Sequence, residues 1–289
     1  MFSRSPDSYQ ALRDHLAGSL ICDGLGDRRG DLDLFDACAA YVAGRPNLVT
    51  AGKAAFSVEA SLALGPGKLC SRRYIVGVPV AALGRSPWAD LTAWLLCASA
   101  PLEVHACLDR LRIEREVPTA VHLGMERAVG QAENRRFYVE RRPLQALLGP
   151  AQGPPTLAMV GGQWPAAGSP VRWRHYLEAA ASLSPPPPPE LAHGLAAHPG
   201  ASAGYVWWRS DLGGPDSASD TYWHFRGWPL AAAVEALAAL AERHCGGGQA
   251  CAAALARAPA GALLKAVGVG VDARGPRLKV YQAPPDRAV

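Results

Sequence analysis

Alternating apolar and polar positions recur along the chain in five pairs of runs, each pair joined by turn-forming residues. The first pair covers Ala55 to Leu64 and Lys68 to Val80, around Gly65-Pro66-Gly67. The second covers Thr119–Val129 and Asn134–Arg142 across Gly130-Gln131, and the third Thr156–Trp164 and Pro170–Ala179 across Ala167-Gly168-Ser169. The fourth joins Gly204–Asp211 to Thr221–Trp228 through Gly213-Gly214-Pro215-Asp216-Ser217. The fifth joins Leu263–Asp272 to Arg277–Ala283 across Arg274-Gly275-Pro276. A period of two bounded by such residues predicts β-hairpins.

Between the hairpins the pattern is helical. Ser86-Pro87 makes an N-cap and first-turn pair for an apolar run through Leu111, with a break at Pro101. Pro229 opens an Ala/Leu-rich helix to about His244, closed by Gly246-Gly247-Gly248. Further helices are expected over Ala250–Arg257 and residues 8–20, and Pro185–Pro189 reads as a stiff polyproline connector. Five antiparallel hairpins interleaved with helices do not make a parallel sheet. They predict an α/β architecture of the α+β kind: a closed ten-stranded antiparallel β-barrel with surrounding helices, one domain over residues 1–289. A barrel of ten strands is wide enough to enclose a ligand chamber.

Composition narrows the possibilities. With 49% hydrophobic and 19% charged residues the chain is globular, and a net charge of +4 does not call for a nucleic-acid partner. Seven cysteines without a CxxC pair argue against a disulfide framework and fit a reducing cytoplasm. His244, Cys245 and Cys251 lack a fourth ligand, so no zinc site is expected. The N-terminus MFSRSPDSYQ has no hydrophobic signal region and no stretch is long and apolar enough to span a bilayer; a soluble monomer without membrane partners is expected. There is no DDxxD-type motif to hold a metal cluster, and Asp23, Asp27, Asp31, Asp33 and Asp36 read as a solvated loop and helix start.

Candidate chemistry lies in the second strand of four hairpins. Four of the eight tyrosines follow a basic residue by two positions: Arg72-Arg73-Tyr74, Arg136-Phe137-Tyr138, Arg174-His175-Tyr176 and Lys279-Val280-Tyr281. On a strand that spacing puts both side chains on one face. The fourth hairpin carries Tyr222-Trp223-His224 instead, with aromatic and polar partners reversed. Converging Arg72 or Arg73, Arg136, Arg174 and Lys279 suit a diphosphate. Tyr74, Tyr138, Tyr176 and Tyr281 suit a developing carbocation. The competing reading, half-buried strand tyrosines with arginines reaching outward, does not explain the recurrence in corresponding hairpins.

At these residues the chain resembles the aromatic prenyltransferases of the ABBA-barrel type, and most of all the cyanobactin-type prenyltransferases of ribosomal peptides. The carrying segments are LFDACAAYV at 34–42, FSVEASLALGPGKLCSRRY at 56–74, LGMERAVGQAENRRFYVE at 123–140, the Tyr222–Phe225 stretch and VGVGVDARGPRLKVY at 267–281. The family often has Lys-x-His or Lys-x-Tyr where this chain has Arg136-Phe137-Tyr138. In the first hairpin its arginine falls on Arg73, whereas alternation favours Arg72.

The resemblance implies a dimethylallyl or geranyl diphosphate donor, assistance by Mg²⁺, and Glu59 as the acidic residue that takes or orients the acceptor's proton. An inward carboxylate between Val58 and Ala60 calls for such a partner on its own account. The implied acceptor is a Tyr, Trp, His or Arg side chain of a ribosomally made peptide. A tail after the last strand, Pro284–Val289, is expected to leave one barrel end open to it. The alternatives are a free indole or phenol acceptor, or a non-catalytic barrel binding an anionic ligand. The resemblance also places Val206 near a position that restricts donor chain length. Trp207, Trp208, Trp223 and Trp228 line a peptide mouth or pack in the core. Glu59, Glu126 and Glu140 form an acidic pocket or pair with the chamber's own arginines.

Overall fold

The computed structural model describes residues 6–20, 32–43, 57–80, 87–97, 100–113, 118–128, 133–140, 156–165, 170–179, 181–211, 219–272 and 274–284. The Ser86 cap, the turns at Gly130-Gln131, Ala167-Gly168-Ser169 and Gly213–Ser217, Asp23, Asp27, Asp31 and the tail beyond Pro284 lie outside them.

The five alternating pairs are five hairpins: β1 (Ser57–Gly65) with β2 (Lys68–Pro79), and β3 (Ala120–Ala128) with β4 (Asn134–Glu140). β5 (Thr156–Pro165) pairs with β6 (Arg172–Glu178), β7 (Ser202–Asp211) with β8 (Ser219–Pro229), and β9 (Leu263–Asp272) with β10 (Gly275–Ala283). Each hairpin also pairs with the next, and β10 returns to β1 with Tyr281 opposite Ser61, closing a ten-stranded antiparallel barrel. Closure leaves no sheet edge exposed.

The strands bury both faces, and the two faces differ. Outside the barrel lie two apolar cores under helices. α1 (Pro6–Leu20), α2 (Asp33–Ala43), α3 (Pro87–Cys97) and α4 (Leu102–Ile113) bring Leu16, Phe35, Leu91, Leu95 and Leu108 against Tyr74, Val76, Leu123 and Phe137. α5 (Pro189–Ala196), α6 (Leu230–Cys245) and α7 (Gly248–Leu255) cover Leu62, Phe225, Trp228, Leu264 and Leu278 on the other side. The lumen is polar and aromatic.

The helix signals work as expected. Pro101 separates α3 from α4, its carbonyl accepting from the Val104 N–H. Gly246 takes the left-handed φ of 63° that ends α6, where the Gly246 and Gly247 N–H groups satisfy the Glu242 and Ala241 carbonyls. The helix start expected at the acids is present, and one helix, α5, goes beyond the sequence reading. α2 starts at Asp33 and Asp36, acids suited to a helix N-terminus, and Asp36 pairs with Arg13 of α1 at 2.8 Å. α5 begins on the last proline of the supposed connector, because proline is well tolerated in a first helical turn. The preceding prolines stay extended, and the Pro185 carbonyl accepts from Trp223 Nε1 at 3.0 Å.

Glycines inside the barrel seat the large lumen side chains. Gly161 lies opposite Tyr138, and a Cβ there would sit 2.7 Å from its ring. Gly268 lies opposite Tyr222 with a corresponding distance of 2.5 Å, and Gly270 opposite Asp220 at 2.0 Å. Gly268→Ala is therefore expected to lower the unfolding free energy by about 1–3 kcal/mol through overpacking. Gly200→Ala, with nothing within 4 Å of its new methyl, is the control for the same denaturant titration.

Candidate active site

Even-numbered strands all run in one direction around the barrel and odd-numbered strands in the other. Inward residues two apart therefore stack into tiers along the barrel axis. On β4 the tier residues are Arg136, Tyr138 and Glu140; on β6, Arg174, Tyr176 and Glu178; on β8, Asp220, Tyr222 and His224. On β10 Lys279 precedes Tyr281. The odd strands reverse the order: Glu126, Gly124 and His122 on β3; Arg209, Trp207 and Tyr205 on β7; Ala63, Ser61 and Glu59 on β1.

The first tier is cationic. Arg73, Arg136, Arg174 and Arg209 are buried, and Arg277 and Lys279 nearly so. Among the described residues three carboxylates pair with these cations, Asp272 with Arg277 and two others more deeply. Glu126 pairs with Arg136 and accepts from Ser71 Oγ at 2.8 Å. Asp220, 4% exposed, meets Arg209 at 2.7 Å, Lys279 at 2.8 Å and Arg277 at 3.0 Å, and accepts from the Tyr222 hydroxyl at 2.7 Å. Burial pushes Asp220 up, but the Lys279, Arg209 and Arg277 charges outweigh it and hold the carboxyl far below the usual carboxylate range. Burial, with Arg209 adding to it, pulls the Lys279 ammonium well down. That direction fits a tier whose cations outnumber its acids. Arg136 Nε and Arg277 Nε are buried donors with no partner among the described residues.

The second tier is a tyrosine ring. Tyr138 contacts Tyr176 at 6.0 Å between centroids, Tyr176 contacts Tyr222 at 6.0 Å, and Tyr222 contacts Tyr281 at 5.8 Å. The Arg73 guanidinium sits 4.9 Å over the Tyr281 ring and donates to the Tyr138 hydroxyl at 3.0 Å; Arg136 donates to the same oxygen at 3.3 Å. Burial pushes the Tyr138 phenol up, yet Arg136, Arg73 and Arg174 together bring it down to about 8.

The third tier holds Glu59, His122, Glu140 and His224. Burial pushes the Glu59 carboxyl up, and Lys265, Arg73 and His122 pull it only part of the way back. Glu140 lies 3.4 Å from His122 Nε2.

Several sequence expectations change. Arg73, not Arg72, faces the lumen, donating to Ser61 Oγ at 3.0 Å. Arg72 and Tyr74 lie on the opposite face of β2, where Tyr74 is fully buried in the helix-covered core and its hydroxyl accepts from the Phe35 N–H at 3.3 Å. Tyr222 takes the fourth place in the ring. Val206 points into the outer core, away from the lumen. Of the four tryptophans, Trp207 faces inward, 6.2 Å from Tyr176, whereas Trp208, Trp223 and Trp228 pack against the outer core. Glu126 pairs with the lumen's own Arg136, so it is not part of an acidic pocket.

Asp220, Arg209 and Arg277 escaped the sequence reading. Asp220-x-Tyr222 is the basic-x-tyrosine frame with the charge inverted, which a search for cations passes over. Among the described residues the Mg²⁺ implied by the resemblance finds no protein site. Among the described residues no three His, Cys, Asp or Glu side chains come together to hold a metal, and the first-tier acids are engaged by cations. His244 instead bonds the Gly270 carbonyl, and Cys245 the Ala241 carbonyl.

No protein-family model matches the chain, and no curated protein matches it. Solved structures do. A structure of 6-dimethylallyltryptophan synthase from Micromonospora olivasterospora in complex with DMASPP and Trp superposes with a TM-score of 0.55 at 16% identity, over 94% of this chain and 97% of that one. A second structure, a 6-dimethylallyl tryptophan synthase, gives 0.57 at 15% identity, over 96% and 98%. The closed ten-stranded barrel with helices around it thus matches the ABBA prenyltransferase fold. Among the described residues no helix is long and apolar enough to cross a membrane.

Asp220→Asn leaves three buried cations without their shared carboxylate and is expected to lower stability by about 3–5 kcal/mol. Because the folded carboxyl is held low, its contribution is complete above the unfolded value near 4 and fades as pH falls below it. A denaturant series from pH 7 to pH 3 should show a shallower acid slope for the variant. Inorganic pyrophosphate should restore more of the midpoint in the variant than in the parent protein.

Proposed function

We propose that the protein is a prenyltransferase moving an allylic group, dimethylallyl or geranyl, from its diphosphate to an electron-rich carbon or heteroatom of a small aromatic acceptor. The observation that carries this reading is the order of the tiers: cations, then tyrosine faces, then a buried carboxylate with a raised pKa, all in one lumen. Arg73, Arg136, Arg174 and Lys279 would hold the diphosphate by charge-assisted hydrogen bonds. As the C–O bond breaks, pyrophosphate leaves with the electron pair. The faces of Tyr138, Tyr176, Tyr222 and Tyr281 flank the allyl cation and keep water from it. The acceptor's π electrons form the new bond, and the proton displaced from the acceptor passes to Glu59.

The resemblance to cyanobactin-type enzymes points to a peptide acceptor, but the support lies with the small aromatic. The two structures compared above are dimethylallyltryptophan synthases, one of them holding Trp. The tryptophan-lined mouth that a peptide would use is largely absent, since three of its four residues face away from the lumen.

Incubation with dimethylallyl or geranyl diphosphate and a panel of indoles, phenols and short peptides should give a mass gain of one or two isoprene units on an indole or phenol. A barrel that only binds anions would bind the diphosphate and give no mass gain with any acceptor. Glu59→Gln should lower kcat by about 10²–10⁴-fold while leaving the affinity for a thiolodiphosphate donor analogue intact. Arg136→Ala should weaken that affinity. Glu59 must be ionised to take a proton, so kcat in the parent enzyme should fall as pH drops through its raised pKa.

A further inference from the structure

His224 has no task in the mechanism above, yet its surroundings are built around it. It follows Tyr222 by two positions on β8 and so belongs to the third tier, beyond the tyrosine ring. The Tyr205 ring stacks on it at 4.2 Å between centroids and 27° between planes, and the Trp207 ring meets it edge-on at 4.7 Å. Both ring nitrogens are buried, and neither has a hydrogen-bond partner among the described residues. Most buried polar atoms are paired, and leaving a buried donor and acceptor unsatisfied is unfavourable. The adjoining backbone is irregular: the β7–β8 register shifts between Ala203 and Val206, a bulge that carries Tyr205.

We propose that His224 is the acceptor's hydrogen-bonding partner: an N–H or O–H in the plane of a flat aromatic ligand donates to its unprotonated ring nitrogen, with Tyr205 and Trp207 holding the ligand's faces. This rests on the prenyl-transfer reading and adds the acceptor's chemical class, an aromatic bearing an N–H or O–H. Burial, reinforced by the nearby Lys265 charge, brings the imidazole down to about 3, so it stays neutral and able to accept across the physiological range. A neutral imidazole also keeps one N–H, which is left for a carbonyl or carboxylate on the same ligand. Glu59, three strands away on β1 and under the same Lys265 charge, remains the proton acceptor.

The test is equilibrium binding by calorimetry to protein saturated with a thiolodiphosphate donor analogue, comparing indole with 1-methylindole and phenol with anisole. The parent protein should prefer the N–H and O–H ligands by about tenfold or more, the consequence of leaving a buried group unpaired. His224→Phe keeps the stacking surface and should bring that ratio to about one, with donor-analogue affinity unchanged. His224→Asn, which retains an acceptor, should keep part of the preference. In the parent protein the His224 ring nitrogen signals should shift on adding indole and not on adding 1-methylindole, a readout that does not depend on how a variant folds. A preference that survives His224→Phe, or that disappears in Glu59→Gln instead, overturns the assignment. So does an unshifted His224 signal. If the parent protein prenylates indole but binds both indoles equally, only this assignment fails. If it binds the donor analogue and no aromatic at all, the aromatic-acceptor reading fails with it.

Discussion

The structure depends on holding six cationic side chains inside one barrel. A buried charge is tolerated only when it is paired and hydrogen-bonded. Glu126 and Asp220 meet that constraint from separate strands. Glu126 takes Arg136 and Ser71; Asp220 takes Arg209, Arg277, Lys279 and the Tyr222 hydroxyl. A cation at position 220, matching the basic residues on the other even strands, would have left Arg209 and Lys279 without the carboxylate they now share. Among the described residues the acids of the tier are fewer than its cations, a balance of the kind a diphosphate would complete.

That arrangement requires the barrel to be built inside out. Apolar burial is supplied between the outer wall and two sets of helices, which frees the lumen to carry charge and phenol. The lumen must still be packed. Gly161, Gly268 and Gly270 are the recesses into which Tyr138, Tyr222 and Asp220 lean, and a methyl group in any of them would displace the side chain opposite. The tyrosine ring is therefore positioned by residues that contribute no chemistry.

The fold was legible because hairpins write their period and their turns locally: every strand begins and ends within about three residues of its expected bounds. The site was legible less evenly, for a physical reason. Alternation says which residues share a face, but it identifies the inner face only where one side is wet. β2 is buried on both sides, under helices and toward the lumen, so Arg72-x-Tyr74 and Arg73-x-Ile75 look equally plausible as lining. What decides is Phe35, on a helix far away in sequence, whose N–H meets the Tyr74 hydroxyl. Val206 and Trp208 fail in the same way, one position out of phase with the inward Trp207. The glycine recesses were hidden because glycine in a strand reads as a breaker, and its partner across the ladder appears only once the register is known.

The tiers also separate two electrostatic demands that would conflict at one point. Ionising an allylic diphosphate needs strong positive field at the leaving oxygen, while taking a proton from the acceptor needs a carboxylate that is not pinned down by that field. Glu126 and Asp220, inside the cationic tier, are held so firmly as anions that they could not serve as bases near neutrality. Glu59 lies two positions further along β1 than Ser61, beyond the phenol ring, where burial outweighs the attraction of Arg73 and its carboxyl is raised. Burial, with the Lys265 charge adding to it, keeps His224 neutral. On the proposed reading the ring of tyrosines would do more than shield a carbocation: it is the spacing that lets the cationic tier and the raised Glu59 carboxyl share one lumen.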